Sequence, residues 1–386
     1  MKPPKDTISV AIAGSVGALP AAEWDALDPT GNPFTSHRFL KLLEDSNSVG
    51  GRSGWTPAPL VLKGQGPEQD GEGPLRAALP AYLKSHSQGE YVFDQGWADA
   101  WERAGGRYYP KLQISVPFTP ATGPRVLAPD PGDAAIMLQA AEQLVRGEGL
   151  SSAHATFIAP EQIAAFESAG WLIRSDIQFH WTNRGYESFE AFLDSLASRK
   201  RKAIRKERAR AVEGLEIAAL SGDAIRAEHW DAFWQFYQDT GARKWGRPYL
   251  TRNAFALIGE RMADEIVLLL AFHEGRAVAG ALNFIGPDAL YGRYWGALID
   301  QPFLHFELCY YRAIDEAIAR GLSRVEAGAQ GSHKLARGYE PVETHSAHFI
   351  PHPEFRAAVA DYLARERAGI SAEQAALQAL GPFRKA

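Results

Sequence analysis

Residues 265–295, EIVLLLAFHEGRAVAGALNFIGPDALYGRYW, decide the fold. This stretch contains three runs rich in aliphatic and aromatic residues, at 265–272, 277–285 and 289–295. Only HEGR and GPD separate these runs, and short turns of this kind between apolar runs are typical of β-hairpins. The stretch therefore predicts three consecutive antiparallel strands.

The elements around this meander complete one half of the chain. Before it, the pattern predicts a strand at 215–220 and helices at 228–240 and 252–263; after it come a helix at 306–320, strands at 323–327 and 346–350, and a helix at 353–367. The first half has a similar order, with helices at 20–27 and 36–45 and a hairpin formed by 58–63 and 75–84. We therefore predict two domains, residues 1–185 and 186–386, with a charged helix at 186–212 that opens the second domain or bridges the two.

The composition excludes several classes of protein. The chain has 386 residues, of which 46% are hydrophobic and 23% charged, which is typical of a folded water-soluble protein. Its longest apolar runs, such as 266–272, are far shorter than the roughly 20 residues of a membrane span. The single cysteine, Cys309, and the scattered histidines form no metal-binding motif. We expect a cytoplasmic protein without a membrane span and without a metal.

The basic charge is concentrated in one segment. Residues 199–210, RKRKAIRKERAR, hold eight basic residues and one acidic residue, although the whole chain has a net charge of −5. On a helix, Arg201, Arg205 and Arg208 share a face. Arg201 and Arg205 are therefore candidate ligands for the phosphates of a nucleotide, a nucleotide-sugar or a tRNA end; the alternative is a solvated linker helix. The acidic remainder of the chain argues against DNA as a partner.

The densest group of polar residues lies in 294–341. Glu326 ends a predicted strand, and either Glu326 or His333 is a candidate general base that removes a proton from an attacking amine. Lys334 and Arg337 are candidates for neutralising charge on a donor, and Gln330 lies in the same loop. The alternative is that Glu326 is a strand residue paired with Arg324 or Lys334.

Further candidate binding residues lie outside this loop. His305 and Glu307 come at the start of the predicted helix at 306–320, where free backbone N–H groups favour an anion. The remaining candidates are aromatic or basic residues near these elements or in the aromatic-rich segment of the first half: Trp295, Tyr311, Tyr109 and Lys111.

Two strings carry a resemblance to a known family: YYPKLQISVPFTPATGPRVL at 108–127 and FLHFELCYYRAIDEAIARGLSRVEAGAQGSHKLARGYEPVETHSAHFI at 303–350. They resemble the FemAB-like family of the GNAT acyltransferase superfamily, and the element order is that of a GNAT fold given twice. The resemblance implies an α/β fold of tandem GNAT domains, each with a mixed, mostly antiparallel sheet flanked by helices. More distantly, the chain is similar to Fem-type peptidyltransferases, which move an amino acid from aminoacyl-tRNA to a cell-wall precursor.

The resemblance leaves three functions open. The first is an N-acyltransferase that uses acyl-CoA, although the turn LIDQPFLHFE at 298–307 lacks the glycines with which GNAT enzymes bind the pyrophosphate of coenzyme A. The second is an aminoacyl-tRNA-dependent transferase. The third is a non-catalytic protein that recognises peptidoglycan precursors. In each, the expected partner is a small molecule or a cell-wall precursor, with an amine as acceptor in the two enzymes.

Overall fold

The chain divides into two compact units. The computed structural model describes residues 10–65, 72–244, 248–328 and 331–384. One unit contains Met1–Asp176 and Thr344–Gly369, and the other contains Ile177–Glu343 and Ile370–Ala386. The predicted boundary at residue 185 therefore differs from the observed division, because the chain returns to the first unit near its end.

Fourteen strands and twelve α-helices are found in the described residues. The strands are β1 Val10–Ile12, β2 Trp55–Pro57, β3 Leu60–Gln65, β4 Glu72–Leu79, β5 Ala81–Lys84, β6 Lys111–Ile114, β7 Ala153–Ile158, β8 Leu172–Thr182, β9 Glu216–Leu220, β10 Ile266–His273, β11 Arg276–Ile285, β12 Ala289–Ala297, β13 Arg324–Glu326 and β14 Glu340–Phe349. The helices are α1 Ala21–Ala26, α2 His37–Asp45, α3 Gln95–Arg103, α4 Pro131–Gly147, α5 Ile163–Ser168, α6 Phe189–Asp194, α7 Ser198–Ala211, α8 Ala227–Lys244, α9 Arg252–Arg261, α10 Leu304–Phe306, α11 Arg312–Ala319 and α12 Pro353–Ala379.

The first unit contains two sheets. Strands β1, β3 and β4 form a small sheet, and β2, β5, β6, β7 and β14 form a larger one in this order. In the larger sheet β6 and β7 are parallel, and the other pairs are antiparallel. Helices α4 and α5 contribute to its apolar core, in which Met137, Leu138, Ala141 and Phe166 are inaccessible to solvent.

In the second unit the strand order is β8, β13, β12, β11, β10 and β9. The predicted meander is confirmed as β10–β12, which pair antiparallel. Only β12 and β13 are parallel. With its helices, this arrangement confirms the predicted mixed α/β class with mostly antiparallel sheets.

The helix predicted at 306–320 has an irregular start. The helical path begins at Leu304, but Glu307–Tyr311 is π-helical before α11 continues. The helix predicted at 186–212 is also interrupted: Ser188 caps α6, and the chain then turns before α7 begins. Among the described residues, no helix combines the length and the apolar character that crossing a bilayer requires.

Candidate functional site

The parallel strands β12 and β13 separate soon after they meet. They pair at three positions, from Ala289 opposite Arg324 to Tyr291 opposite Glu326, whereas β12 continues to Ala297. Beyond Tyr291 this edge of β12 has no strand partner in the described part of the chain. The gap that opens between the two diverging strands can bind an extended ligand.

Glu326 lies where the two strands separate. Its side chain is almost fully buried, with the residue only 4% exposed. Arg324 Nε donates to Glu326 Oε1 at 2.9 Å, and His180 Nε2 lies 3.9 Å from Glu326 Oε2. Within the described residues, Oε2 accepts no hydrogen bond. The sheet register explains the grouping, because Tyr291, Glu326 and His180 are direct neighbours across three strands.

Burial controls the charges around Glu326. It lowers the pKa of His180, while the Glu326 carboxylate acts in the opposite direction and Lys334 adds to the lowering. Burial also lowers the pKa of Lys334 to about 8. Lys334 Nζ donates to the carbonyl of Gly328 at 2.8 Å, which fixes the chain just after β13. The site therefore combines a carboxylate, a neutral imidazole and an amine that titrates near neutral pH.

His333, the second candidate base, lies in an aromatic cluster. Its Nε2 is 2.9 Å from the Tyr310 hydroxyl, and its ring centroid is 5.5 Å from that of Phe306 and 6.3 Å from that of His305. Arg337 joins the cluster, since its guanidinium lies 3.4 Å from the Phe306 ring centroid and donates to the His333 carbonyl at 2.7 Å. His333 thus contacts different residues from those that hold Glu326.

A pocket of about 400 Å³ opens at the start of α10. Two predicted binding residues, Trp295 and His305, lie in its lining with ring centroids 5.1 Å apart. Phe303 and Phe306 add aromatic surface, and Asp300 supplies a carboxylate. Such a pocket, mostly apolar with few polar groups, is typical of a small-molecule site.

Two predicted binding residues are instead structural. Glu307 is 1% exposed, and its carboxylate accepts from Arg208 at 3.0 Å and from Arg312 at 2.8 Å. Tyr311 is fully buried and donates to Glu207. Both lie in the π-helical segment, and burial with satisfied partners leaves neither available to a ligand.

The predicted phosphate-binding face of the basic helix, α7, is not open to a ligand in the structure. Arg201 pairs with Asp194 at 3.1 Å and Arg205 with Glu190 at 2.5 Å, so acidic residues of α6 already occupy the proposed phosphate-binding face. Of the remaining candidates, Gln330 lies outside the described residues.

Tyr109 and Lys111 belong to a buried polar cluster in the first unit. Lys111 Nζ donates to Glu90 Oε2 and to Ser87 Oγ, both at 2.8 Å, and to Asp94; Tyr109 reaches the same Ser87 hydroxyl at 2.8 Å. Burial alone would lower the pKa of Lys111, but Glu90 and Asp94 raise it above its ordinary value. Lys111 is therefore a fixed internal cation with no exposed surface.

The cluster covers one face of the larger sheet of the first unit. Because side chains alternate along a strand, Lys84 on β5, Lys111 on β6 and His154 on β7 share the face opposite the apolar core. Burial raises the pKa of Glu90 to about 7 and lowers that of Lys84 to about 7.

Several members of both groups were not indicated by the sequence. His180 and Tyr310 complete the surroundings of Glu326 and His333, and Glu90, Asp94, His154 and His348 complete the buried cluster of the first unit. The alternation of polar and apolar residues in KLQIS, residues 111–115, is the signal that a polar sheet face leaves in the sequence. Across the described ranges, no group of three His, Cys, Asp or Glu side chains is arranged to hold a metal ion.

Two solved structures of very different sequence superpose on this chain with TM-scores above 0.5, which shows a shared fold, and a third superposes less well. The crystal structure of FemX superposes with a TM-score of 0.54 at 12% identity and covers 88% of this chain and 98% of its own. A conserved protein of unknown function from Bacteroides thetaiotaomicron VPI-5482 gives 0.51 at 12% identity, over 88% of this chain and 100% of its own. A tandem GNAT protein from the clavulanic acid biosynthesis pathway gives 0.46 at 12% identity, over 90% and 99%.

Comparison with curated proteins gives no match. The family comparison is informative, because one family model, described as peptidoglycan biosynthesis/recognition, matches residues 15–385. That match spans both compact units and includes every residue of the sites described above. The chain therefore belongs to the FemAB-like family.

Proposed function

We propose that this protein is an N-acyltransferase that moves an acyl or aminoacyl group to a primary amine, with the reaction in the second unit. The observation that carries the proposal is the Glu326 carboxylate: Arg324 holds one oxygen, and the other accepts no hydrogen bond in the described residues. An amine must lose a proton as it attacks a carbonyl, and a fixed carboxylate with an available lone pair can accept it. Membership of a peptidoglycan biosynthesis/recognition family supports this class of reaction.

The donor would lie along β12, where this strand separates from β13. Strands rise about 3.3 Å per residue, and β12 bulges at Arg293, so Trp295 lies three regular steps, or about 10 Å, along the sheet from Tyr291. An extended donor of that length would bring its carbonyl to Glu326 while its remote end occupies the aromatic pocket. Gly292 favours this path, because it presents no side chain where β12 and β13 separate.

Lys334 would donate the proton that the leaving group needs. With a pKa lowered to about 8, it is mostly protonated at neutral pH and can give a proton to the leaving group as the tetrahedral intermediate collapses. In this scheme the acceptor nitrogen gains the acyl group and passes its proton to Glu326. The donor's sulfur or oxygen leaves with a proton from Lys334.

The pocket favours an aminoacyl ester over acyl-CoA as donor. Residues 298–303 contain no glycine that would let the backbone approach a pyrophosphate closely. Asp300 in the pocket lining would repel the pyrophosphate of coenzyme A, which lies far from the thioester, whereas the terminal nucleoside of an aminoacyl-tRNA carries no pyrophosphate.

The test measures transfer from each donor directly. Purified protein is incubated with labelled acetyl-CoA or labelled aminoacyl-tRNA, together with amine-bearing cell-wall precursor peptides, and the labelled peptide is separated by chromatography. We expect transfer from aminoacyl-tRNA that is lost when the tRNA is first digested with ribonuclease. Transfer from acetyl-CoA alone would contradict the choice of donor. Saturable binding of the precursor without transfer from either donor would contradict the proposed activity and support a recognition protein.

A further inference from the structure

The exposed face of helix α7 is cationic along most of its length. Steps of three, four and four residues place four exposed side chains in one narrow sector of the helix, here called the cationic stripe: Arg199, Lys202, Lys206 and Arg210. The opposite side packs on the second unit through Ile204 and Ala211, which are buried. The stripe is about 16 Å long, from the helical rise of 1.5 Å per residue.

The stripe is the part of the basic segment that the protein leaves to solvent. Arg201 and Arg205 pair with α6, and Arg208 bonds the buried Glu307. In contrast, no ion pair holds the four stripe cations within the described residues. Their charge is therefore available to an external anion.

An exposed apolar pair lies beside the end of the stripe. Leu298 and Ile299 are 53% and 36% exposed, although both are large aliphatic residues. The Arg210 guanidinium lies 5.9 Å from the Phe303 ring centroid, and Gln301 Nε2 donates to the Arg210 carbonyl at 3.0 Å. The loop that carries the apolar pair is thus attached to the last turn of α7, and the two features form one surface.

We propose that this surface docks the second unit on an anionic phospholipid bilayer. Lys and Arg side chains are attracted to anionic headgroups, and aliphatic side chains beside them enter the headgroup and acyl boundary. Surfaces that bind single-stranded nucleic acid instead add exposed aromatic rings on which bases stack, whereas the exposed pair here is aliphatic. Ile299 also lines the aromatic pocket, so docking brings the pocket mouth to the membrane surface.

The experiment is cosedimentation of the full chain with vesicles. We expect binding to vesicles of equal parts phosphatidylcholine and phosphatidylglycerol, weakening with added salt, and no binding to phosphatidylcholine alone. Each neutralised stripe cation should weaken binding about fivefold. The test variant combines Arg199→Gln, Lys202→Gln, Lys206→Gln and Arg210→Gln. A control with the same net charge neutralises four exposed arginines elsewhere: Arg52→Gln, Arg103→Gln, Arg107→Gln and Arg276→Gln.

A second variant, Leu298→Ser with Ile299→Ser, tests the apolar pair and should weaken binding while its salt dependence remains. Circular dichroism establishes that each variant is folded. Equal losses in the stripe variant and in the charge-matched control would overturn the proposal, as would vesicle binding that none of the variants changes. Binding to tRNA without any vesicle binding would overturn it in favour of a nucleic-acid surface. Vesicle binding needs no donor or acceptor, so its outcome is independent of the proposed transferase activity.

Discussion

Arg324 Nε donates to Glu326 Oε1 at 2.9 Å from two positions earlier on the same strand. The pairing gives a nearly buried carboxylate its counter-charge and fixes its orientation. The pairing with Arg324 that the sequence offered as an alternative is therefore found, and it involves one of the two carboxylate oxygens of Glu326. The other oxygen, Oε2, lies 3.9 Å from His180 Nε2 and accepts no hydrogen bond in the described residues. The proposed chemistry depends on this oxygen.

Replacing the counter-charge should slow transfer. In Arg324→Gln, Glu326 loses the hydrogen bond and the cation that hold its carboxylate in place, so we expect the rate of transfer to fall about tenfold or more. Arg320→Gln is the control, because Arg320 pairs with Glu316 at 3.2 Å on the helix surface. Transfer by Arg324→Gln at the wild-type rate would show that this pairing does not position the carboxylate for the reaction.

The buried ion pair between Arg208 and Glu307 should stabilise the fold far more than the exposed ion pair between Arg205 and Glu190 does. Arg208→Met leaves the Glu307 carboxylate with Arg312 as its remaining partner, and we expect a loss of about 3 kcal/mol in the free energy of unfolding. Arg205→Met removes a pair whose side chains are 49% and 64% exposed, and should cost less than about 1 kcal/mol. Urea denaturation of both variants compares the two losses. Similar losses would contradict a structural role for Glu307.

The two buried histidines of the first unit should make the protein sensitive to acid. His154 Nδ1 and His348 Nδ1 are 2.6 Å apart, and burial lowers the pKa of His154 from 6.5 to about 3 and that of His348 well below 6.5. As pH falls below 6.5 the unfolded chain binds protons that the folded chain does not, so stability decreases toward about pH 3. Each histidine contributes at most about 1.4 kcal/mol per pH unit. The pKa of Glu90 is raised to about 7, so as pH falls the folded chain binds a proton at this residue before the unfolded chain does. This stabilises the folded chain and offsets part of the loss that the histidines cause.

The measurement is the urea midpoint as a function of pH for the wild type and for His154→Gln combined with His348→Gln. The double variant should lose less stability between neutral pH and about pH 5, whatever its stability at neutral pH. A steeper or unchanged dependence would show that other groups cause the acid sensitivity.

Close packing between β12 and α8 gives another prediction. A Cβ atom added at Gly296 would lie 2.1 Å from the carbonyl oxygen of Phe236, so Gly296→Ala must push the strand and the helix apart. We expect a loss of about 1–3 kcal/mol. At Gly147, the last residue of α4, an added Cβ meets nothing within 4 Å, and Gly147→Ala should stabilise by up to about 1 kcal/mol. Thermal melts of the two variants should therefore shift in opposite directions.

The strands and most helices could be predicted because their signals are local. The meander followed from apolar runs and two short turns. The helix predicted at 36–45 is confirmed as α2, and the Ser36 side chain caps it by accepting from Phe39 N. The division into units could not be predicted in the same way. Strand β14 and helix α12 follow the second unit in sequence, but their packing places Thr344–Gly369 in the first.

The sequence indicated the polar residues of the site's strand and loop, and Arg324 as a partner of Glu326, but it did not indicate the partners from distant parts of the chain. Glu326, His333, Lys334 and Arg337 cluster in the sequence, so their residue types indicated a polar site. His180 and Arg208 lie more than 90 positions from Glu326 and Glu307, and only the folded sheet and helix packing bring them together. Helix periodicity also placed Arg201 and Arg205 correctly on one face, but it did not reveal that α6 supplies carboxylates to that face.

The most direct test of the central claim is the rate of label transfer by Glu326→Gln under single-turnover conditions. The variant keeps the shape of the side chain and removes the base, so we predict a rate at least about 100-fold lower with the donor still bound. Glu340→Gln is the matched control, because Glu340 is a partly exposed glutamate paired with Arg184 at 2.7 Å, and its rate should equal that of the wild type. Transfer by Glu326→Gln at the wild-type rate would contradict the account.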